Sequence, residues 1–135
     1  MIDTAKVLYE HLTASGTSLY TLNGTRVWTA QSEPVDWNNG TTGIMMSVSD
    51  DGDYVSPSWV QSSVTFYCYG GNDNASKCQQ IYAALYDRLS GVQSQIKTSG
   101  TIEWARMFSG DPDDIEPDSG YKRARASYLI QFKEN

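Results

Sequence analysis

The chain has 135 residues, of which 39% are hydrophobic and 19% charged, and it carries a net charge of -6. These values fit one globular domain, 1–135, and exclude a disordered chain or one that needs a metal to fold. Because DNA phosphates are bound by clustered cations, the acidic balance argues against a sequence-specific nucleic-acid-binding protein. No apolar run reaches the roughly 20 residues of a membrane span and no signal-peptide pattern is present, so we expect a soluble protein made in a cytosol.

The first third of the chain predicts one helix and one short strand. Apolar residues at helical spacing indicate a helix over Asp3–Ser15. Thr17–Gly24 reads as a connector, and Thr25–Ala30 as a strand. A loop is expected over Gln31–Gly43, because Pro34 and an Asn-Asn-Gly run interrupt regular structure.

The middle third predicts a hairpin that runs into a long helix. Gly43–Ser49 and Trp59–Tyr69 are predicted to pair as antiparallel strands. Apolar and polar residues alternate along the second strand, which indicates one buried face. Asn72, Asp73 and Asn74 all offer N-cap oxygens for the helix, which is expected to end near Ser90.

Two further strands are predicted at the end of the chain, over Thr101–Phe108 and Tyr121–Lys133. Ser109–Gly120 between them reads as an acidic loop. The predicted fold class is α+β, with two layers: a mainly antiparallel or mixed sheet of about four to five strands, packed by two α-helices.

Both cysteines lie at positions predicted to face the core. Cys68 has the apolar parity of its strand, and Cys78 lies on the apolar stripe of the following helix. Packed free thiols are the favoured interpretation. A disulfide stays open, because a helix packed on its own strand can bring two Cβ atoms within about 4 Å.

No catalytic, cofactor-binding or metal-binding residue is assigned. His11 is the single histidine, and nothing in the sequence ties it to a nucleophile. The carboxylates of the acidic loop do not have calcium-loop spacing. A solvated loop, or one that contacts a basic partner, is favoured over a Ca²⁺ or Mg²⁺ site. These carboxylates are Asp111, Asp113, Asp114, Glu116 and Asp118.

The order of the segments resembles a family of phage proteins. An opening helix ("AKVLYEHLTAS") is followed by a short strand ("GTRVW") and by a strand that runs into a helix ("VTFYCYGGNDNASKCQQIYAALYDRL"). A late strand ("GTIEWARM") and a closing strand with arginines and aromatics ("YKRARASYLIQF") complete the pattern. It is similar to the tail terminator or tail-completion proteins of long-tailed bacteriophages, the lambda gpU-like group at the head–tail junction.

The resemblance implies a structural virion protein that is not an enzyme and needs no cofactor. Such proteins form a ring, commonly of six subunits, that caps the tail tube and meets the head–tail connector or stopper protein. The expected location is the virion tail or neck, after assembly in the host cytoplasm, with DNA passing through the lumen. Another neck protein, a monomeric acidic binding or adaptor module, and a small metal-dependent hydrolase are the alternatives.

Subunit contacts are predicted on the outer faces of the last two strands and on the loops Gln31–Gly43 and Ser109–Gly120. Four Trp and nine Tyr residues suit such half-wet surfaces. Arginines of the last strand are expected to meet carboxylates of a neighbour's acidic loop. The predicted interface residues are Trp37, Asp113, Asp114, Arg123 and Arg125.

Overall fold

The computed structural model describes residues 2–30, 37, 40–49, 54–56 and 59–135. It is mostly β, with 44% of residues in strands and 26% in helices. The three helices are α1 (Thr4–Leu12), α2 (Ser18–Asn23) and α3 (Ala75–Leu89). The strands are β1 (Val27–Thr29), β2 (Gly43–Val48), β3 (Tyr54–Ser56), β4 (Trp59–Tyr69), β5 (Gln93–Ile96), β6 (Thr101–Ile115) and β7 (Lys122–Lys133).

One curled, mixed sheet contains all of these strands. Its order is β1-β2-β4-β7-β6-β5. The short β3 pairs with the start of β4, at Trp59 and Val60. β1 runs parallel to β2, and the remaining pairs are antiparallel. The predicted β2–β4 pairing is confirmed, with Ile44 opposite Cys68 and Met46 opposite Phe66.

The predicted α+β fold, with two layers, four to five strands and two helices, is wrong. The sheet is larger than predicted, because it also contains β3, β5 and the second half of β6, none of which was predicted as strand. All four β5 residues are exposed, so their sequence carries no alternation of apolar and polar residues. Such edge strands are held by backbone pairing, which leaves no hydrophobic period to detect.

Side-chain caps define where the helices begin. Asp3 Oδ1 accepts a hydrogen bond from the Lys6 amide at 3.1 Å at the start of α1, and Asn74 Oδ1 accepts one from the Lys77 amide at 3.0 Å at the start of α3. α2 was predicted only as a connector. It begins where Thr17 Oγ1 accepts a hydrogen bond from the Tyr20 amide. It is too short to show a hydrophobic period.

The predicted acidic loop is largely strand. β6 continues to Ile115 and pairs with β7 as far as Lys122. A register shift between Asp111 and Asp114 accommodates Pro112, which has no N–H to donate to the ladder. The remaining turn, 116–121, closes with Gly120 at φ +73°, a conformation that favours glycine.

The sheet has one face covered by helices and one face on which the described part of the chain places no helix. The covered face packs against all three helices in a single core that contains Ile44, Phe66, Tyr128 and Ile130. Both cysteines lie buried in this core as free thiols, which confirms the favoured interpretation. We call the opposite side the outer face. From the strand register it carries Met45, Thr65, Tyr67, Tyr69, Arg106, Arg123, Arg125, Ser127 and Leu129.

Candidate interaction surface

Arg123 is fixed on the outer face by contacts within its own chain. Its Nε donates to Asp114 Oδ2 at 2.7 Å, and its guanidinium carbon lies 4.2 Å from the centre of the Tyr67 ring. Its Nη1 also donates to the Tyr69 hydroxyl at 3.4 Å. Burial lowers the pKa of Arg123, but the hydrogen bonds with Tyr69 and Asp114 outweigh it and raise the pKa above its ordinary value. The side chain is therefore a permanent, oriented cation.

Arg125 makes a much looser pair one step along β7. Its Nη2 lies 3.9 Å from Asp111 Oδ2, and both side chains are more than two-fifths exposed. An exposed pair at this distance contributes little to stability. Arg125 therefore keeps most of its capacity to meet a partner.

Tyr69 ties β4 to the turn of the β6–β7 hairpin. Its hydroxyl donates to Glu116 Oε2 at 3.1 Å. Burial raises the pKa of Tyr69 to about 12, so the hydroxyl keeps its proton at neutral pH. The contact holds the Glu116 carboxylate beside Trp28 of β1 and Trp37.

A small aromatic pocket lies next to this carboxylate. Trp37 contacts Trp28 and Tyr69 with ring centroids 5.1 Å apart in each case. With Met45 and Glu116 these rings line a pocket of about 40 Å³, which we call the tryptophan pocket. It holds more space than the roughly 10–15 Å³ that one water needs.

Gly43 and two indole groups give this pocket its character. A Cβ at Gly43 would overlap with the Trp28 ring, so only glycine lets the ring lie flat on β2. The indole N–H groups of Trp28 and Trp37 are buried and have no acceptor among the described residues. A buried donor without a partner costs about 1–3 kcal/mol. The pocket thus has aromatic walls and two buried N–H donors that lack a hydrogen-bond acceptor among the described residues.

Three exposed apolar side chains lie on β5 and β6. Ile96 on β5 is 75% exposed, and Phe108 and Ile115 on β6 are 58% and 59% exposed. β5 pairs only with the first four residues of β6. Beyond Trp104, the side of β6 that faces away from β7 has no strand partner among the described residues. We call this unpaired stretch, 105–115, the β6 edge.

The structure brings together three of the five predicted interface residues. Trp37 and Arg123 both contact Tyr69, and Asp114 joins them through its hydrogen bond with Arg123. Arg125 pairs beside them with Asp111. Asp113 is exposed at the register shift of β6. The carboxylate partners of both arginines come from the same chain, and their contact with a neighbour stays a prediction. In the predicted contact loop Gln31–Gly43, residues 31–36, 38 and 39 lie outside the described residues.

Sequence reasoning missed most of the pocket. Tyr67, which contacts Arg123 beside the pocket, lies among the polar residues of its alternating strand, and this was a usable signal. Glu116 was noted only as one loop carboxylate among five, and the contact of Trp28 with Trp37 depends on tertiary structure. No sequence period brings these residues to Tyr69.

Two negative findings bear on the chemistry. Among the described residues, no group of three or more His, Cys, Asp or Glu side chains could hold a metal ion. Within the same ranges, no helix is long and apolar enough to cross a bilayer.

Comparison with known proteins finds likeness in structure and not in sequence. No family model matches the chain, and no curated protein matches it. Among solved structures, a chain from the virion of a native gene transfer agent (GTA) particle matches with a TM-score of 0.61 and 17% sequence identity. The match covers 93% of this chain and 91% of the other. The two chains share a fold. At this identity the likeness concerns the fold over nearly the whole length of both chains, and not a shared role.

Proposed function

We propose that the protein is a structural virion protein of a phage-like particle, a tail terminator or tail-completion protein that forms a ring on the end of the tail tube. The observation that carries the proposal is the likeness to a chain of a gene transfer agent virion over nearly the full length of both chains. The segment order of the sequence, which resembles the tail-terminator family, supports the same role independently.

The geometry of the sheet suits a ring. A closed ring needs a heterologous contact, in which one patch meets a different patch of the next subunit. Two patches of this sheet differ in chemistry: the tryptophan pocket is lined by Trp28, Trp37, Met45, Tyr69 and Glu116, and the exposed Phe108 lies on the β6 edge. Trp and Tyr line the pocket and Arg123 contacts its Tyr69; these are residue types that protein interfaces favour.

The role requires assembly and neither catalysis nor a cofactor. The proposed partners are further copies of the chain in a hexamer, the tail tube protein, and the connector or stopper protein of the head. The proposed location is the tail or neck of the virion, after assembly in the host cytoplasm. A net charge of -6 would let DNA pass through the lumen, because like charge repels phosphate.

The first experiment measures assembly of the purified chain, alone and with tail tubes. Light scattering after gel filtration should give six times the 15.0 kDa mass of the chain, and negative-stain images should show rings on tube ends. A persistent monomer that ignores tubes would contradict the proposal and favour the acidic adaptor. Rings found only between connector and head would favour another neck protein.

Variants then locate the contacts. Phe108→Glu places a charge on the β6 edge and should abolish rings. Tyr86→Glu is its matched control, because Tyr86 is a similarly exposed aromatic on α3. Arg125→Glu tests the outer face without breaking a short ion pair. Arg123→Glu is less informative, because it would also oppose Asp114 within the chain.

A further inference from the structure

We propose that the tryptophan pocket receives the guanidinium group of Arg106 from a second copy of this chain. The inference rests on the proposed function and deepens it, because it names the side chain and the site that join neighbouring subunits. It is carried by the chemistry of the pocket and by the position of Arg106 on the β6 edge of the same sheet.

The pocket has the groups that a guanidinium prefers. Trp28, Trp37 and Tyr69 supply aromatic faces, and Glu116 supplies a carboxylate held in place by the Tyr69 hydroxyl. A planar guanidinium stacks on aromatic rings and donates to carboxylate oxygens in the same contact. The volume of about 40 Å³ exceeds that of one water, and the aromatic wall beside a carboxylate suits a cation. The buried indole N–H groups of Trp28 and Trp37 gain no acceptor from a guanidinium, which only donates.

The chain already uses this arrangement once. Arg123 lies over the Tyr67 ring and donates to Asp114, so an aromatic face and a carboxylate hold a guanidinium on the same outer face. In the tryptophan pocket the aromatic rings and the carboxylate are present, and among the described arginines Arg123 reaches the Tyr69 hydroxyl without lining the pocket. The pocket therefore resembles the neighbouring site without a guanidinium over its rings.

Arg106 is the arginine best placed to fill it from another copy. It is exposed and lies opposite Leu129 on the outer face of β6, two residues before the exposed Phe108. The other described arginines contact groups of their own chain: Arg26 binds Thr42, Arg88 binds the His11 carbonyl, Arg123 binds Asp114 and Arg125 pairs with Asp111.

The positions explain why the occupant is a second copy and not the same chain. Arg106 lies on the β6 edge, ten residues before the Glu116 that lines the pocket, which is roughly 30 Å of extended strand. A contact of Arg106 with the pocket of a second copy joins two different patches, and it repeats from subunit to subunit as a heterologous ring requires. Phe108 would lie beside the same junction and add apolar burial.

A mixing experiment tests the assignment. Arg106→Ala keeps the pocket but lacks the inserted cation, whereas Trp37→Ala keeps the cation but lacks the pocket. Each variant alone should remain monomeric at concentrations where the wild type forms rings. A 1:1 mixture should contain one intact junction per pair, and it should therefore stop at a dimer of twice the 15.0 kDa chain mass.

The controls separate folding from assembly. Lys6→Ala removes an exposed cation on α1 and should leave the rings unchanged. If Trp37→Ala does not fold by circular dichroism, Glu116→Lys replaces it, since it inverts the charge that the guanidinium needs. Rings formed by Arg106→Ala, or a mixture of two folded variants that stays monomeric, would overturn the inference.

The outcomes for the pocket and for the proposed function are distinct. Wild-type rings that ignore tail tubes, together with a mixed dimer, would leave the pocket contact standing and remove the tail role. Wild-type rings that cap tubes, together with rings of Arg106→Ala, would leave the tail role standing and remove the pocket contact. A wild-type monomer that neither assembles nor binds tubes would remove both.

Discussion

Arg123 and Asp114 stand opposite each other in the β6–β7 ladder and are joined by a hydrogen bond of 2.7 Å. Their side chains are only 12% and 20% exposed. Removing the arginine leaves a largely buried carboxylate without its cation. We expect Arg123→Ala to lower the free energy of unfolding by about 1.5–3 kcal/mol, the range for hydrogen bonds to charged groups. Urea unfolding at neutral pH measures the loss.

Arg125→Ala provides the matched control for this prediction. Its pair with Asp111 is 3.9 Å long, and both side chains are more than two-fifths exposed. We expect a loss below about 0.5 kcal/mol. Equal losses for the two variants would mean that the short pair with Asp114 does not stabilise the hairpin.

The sequence predicted the parts of the fold in which burial alternates along one element. β4, β7 and α3 each combine a regular apolar period with clear boundaries, and Cys68 and Cys78 lie in the core as predicted. The same reasoning failed for β5 and for the second half of β6. There most residues are exposed and no apolar period exists, so pairing of the backbone decides the structure.

The interaction surface was less predictable than the core. Trp37, Asp114 and Arg123 were named as interface residues from composition and position. Their meeting around Tyr69 depends on the β4–β7 register and on the turn that carries Glu116. Local propensity does not determine either of these, because a slip of one residue would move each side chain to the other face.

Gly43 sets the floor of the tryptophan pocket, which gives a second prediction. A methyl group there would overlap with the Trp28 ring and would approach Trp37 Nε1 to 3.1 Å. We expect Gly43→Ala to displace the ring and to cost about 1–3 kcal/mol, as overpacking does. Near-ultraviolet circular dichroism should lose tryptophan signal along with stability. Ser47→Ala, an exposed position on the same strand, should change neither, and an unaltered spectrum of Gly43→Ala would contradict the packing.

His11 joins α1 to α3 and gives the third prediction. Its Nε2 donates to the Arg88 carbonyl at 3.0 Å, and the Arg88 Nε donates back to the His11 carbonyl at 3.0 Å. The His11 Nδ1 is buried without a hydrogen-bond partner among the described residues. Burial is the main cause that lowers the pKa of His11 to about 4, and the positive charges of Arg88 and Lys97 lower it further, against the opposing effect of the Arg88 carbonyl.

The sign of the resulting pH dependence follows from proton binding. Between pH 6.5 and 4 the unfolded chain binds a proton at His11 that the folded chain does not, so stability falls as the pH is lowered through this window. Relative to a His11→Gln variant, whose amide can still donate to the Arg88 carbonyl, we expect the wild type to lose about 3 kcal/mol between pH 7 and pH 4. Urea unfolding of both proteins at each pH cancels the titration of the carboxylates that they share. A difference in stability between the two proteins that is the same at both pH values would mean that His11 has the same pKa in the folded and unfolded chain and that the α1–α3 contact tolerates its charge.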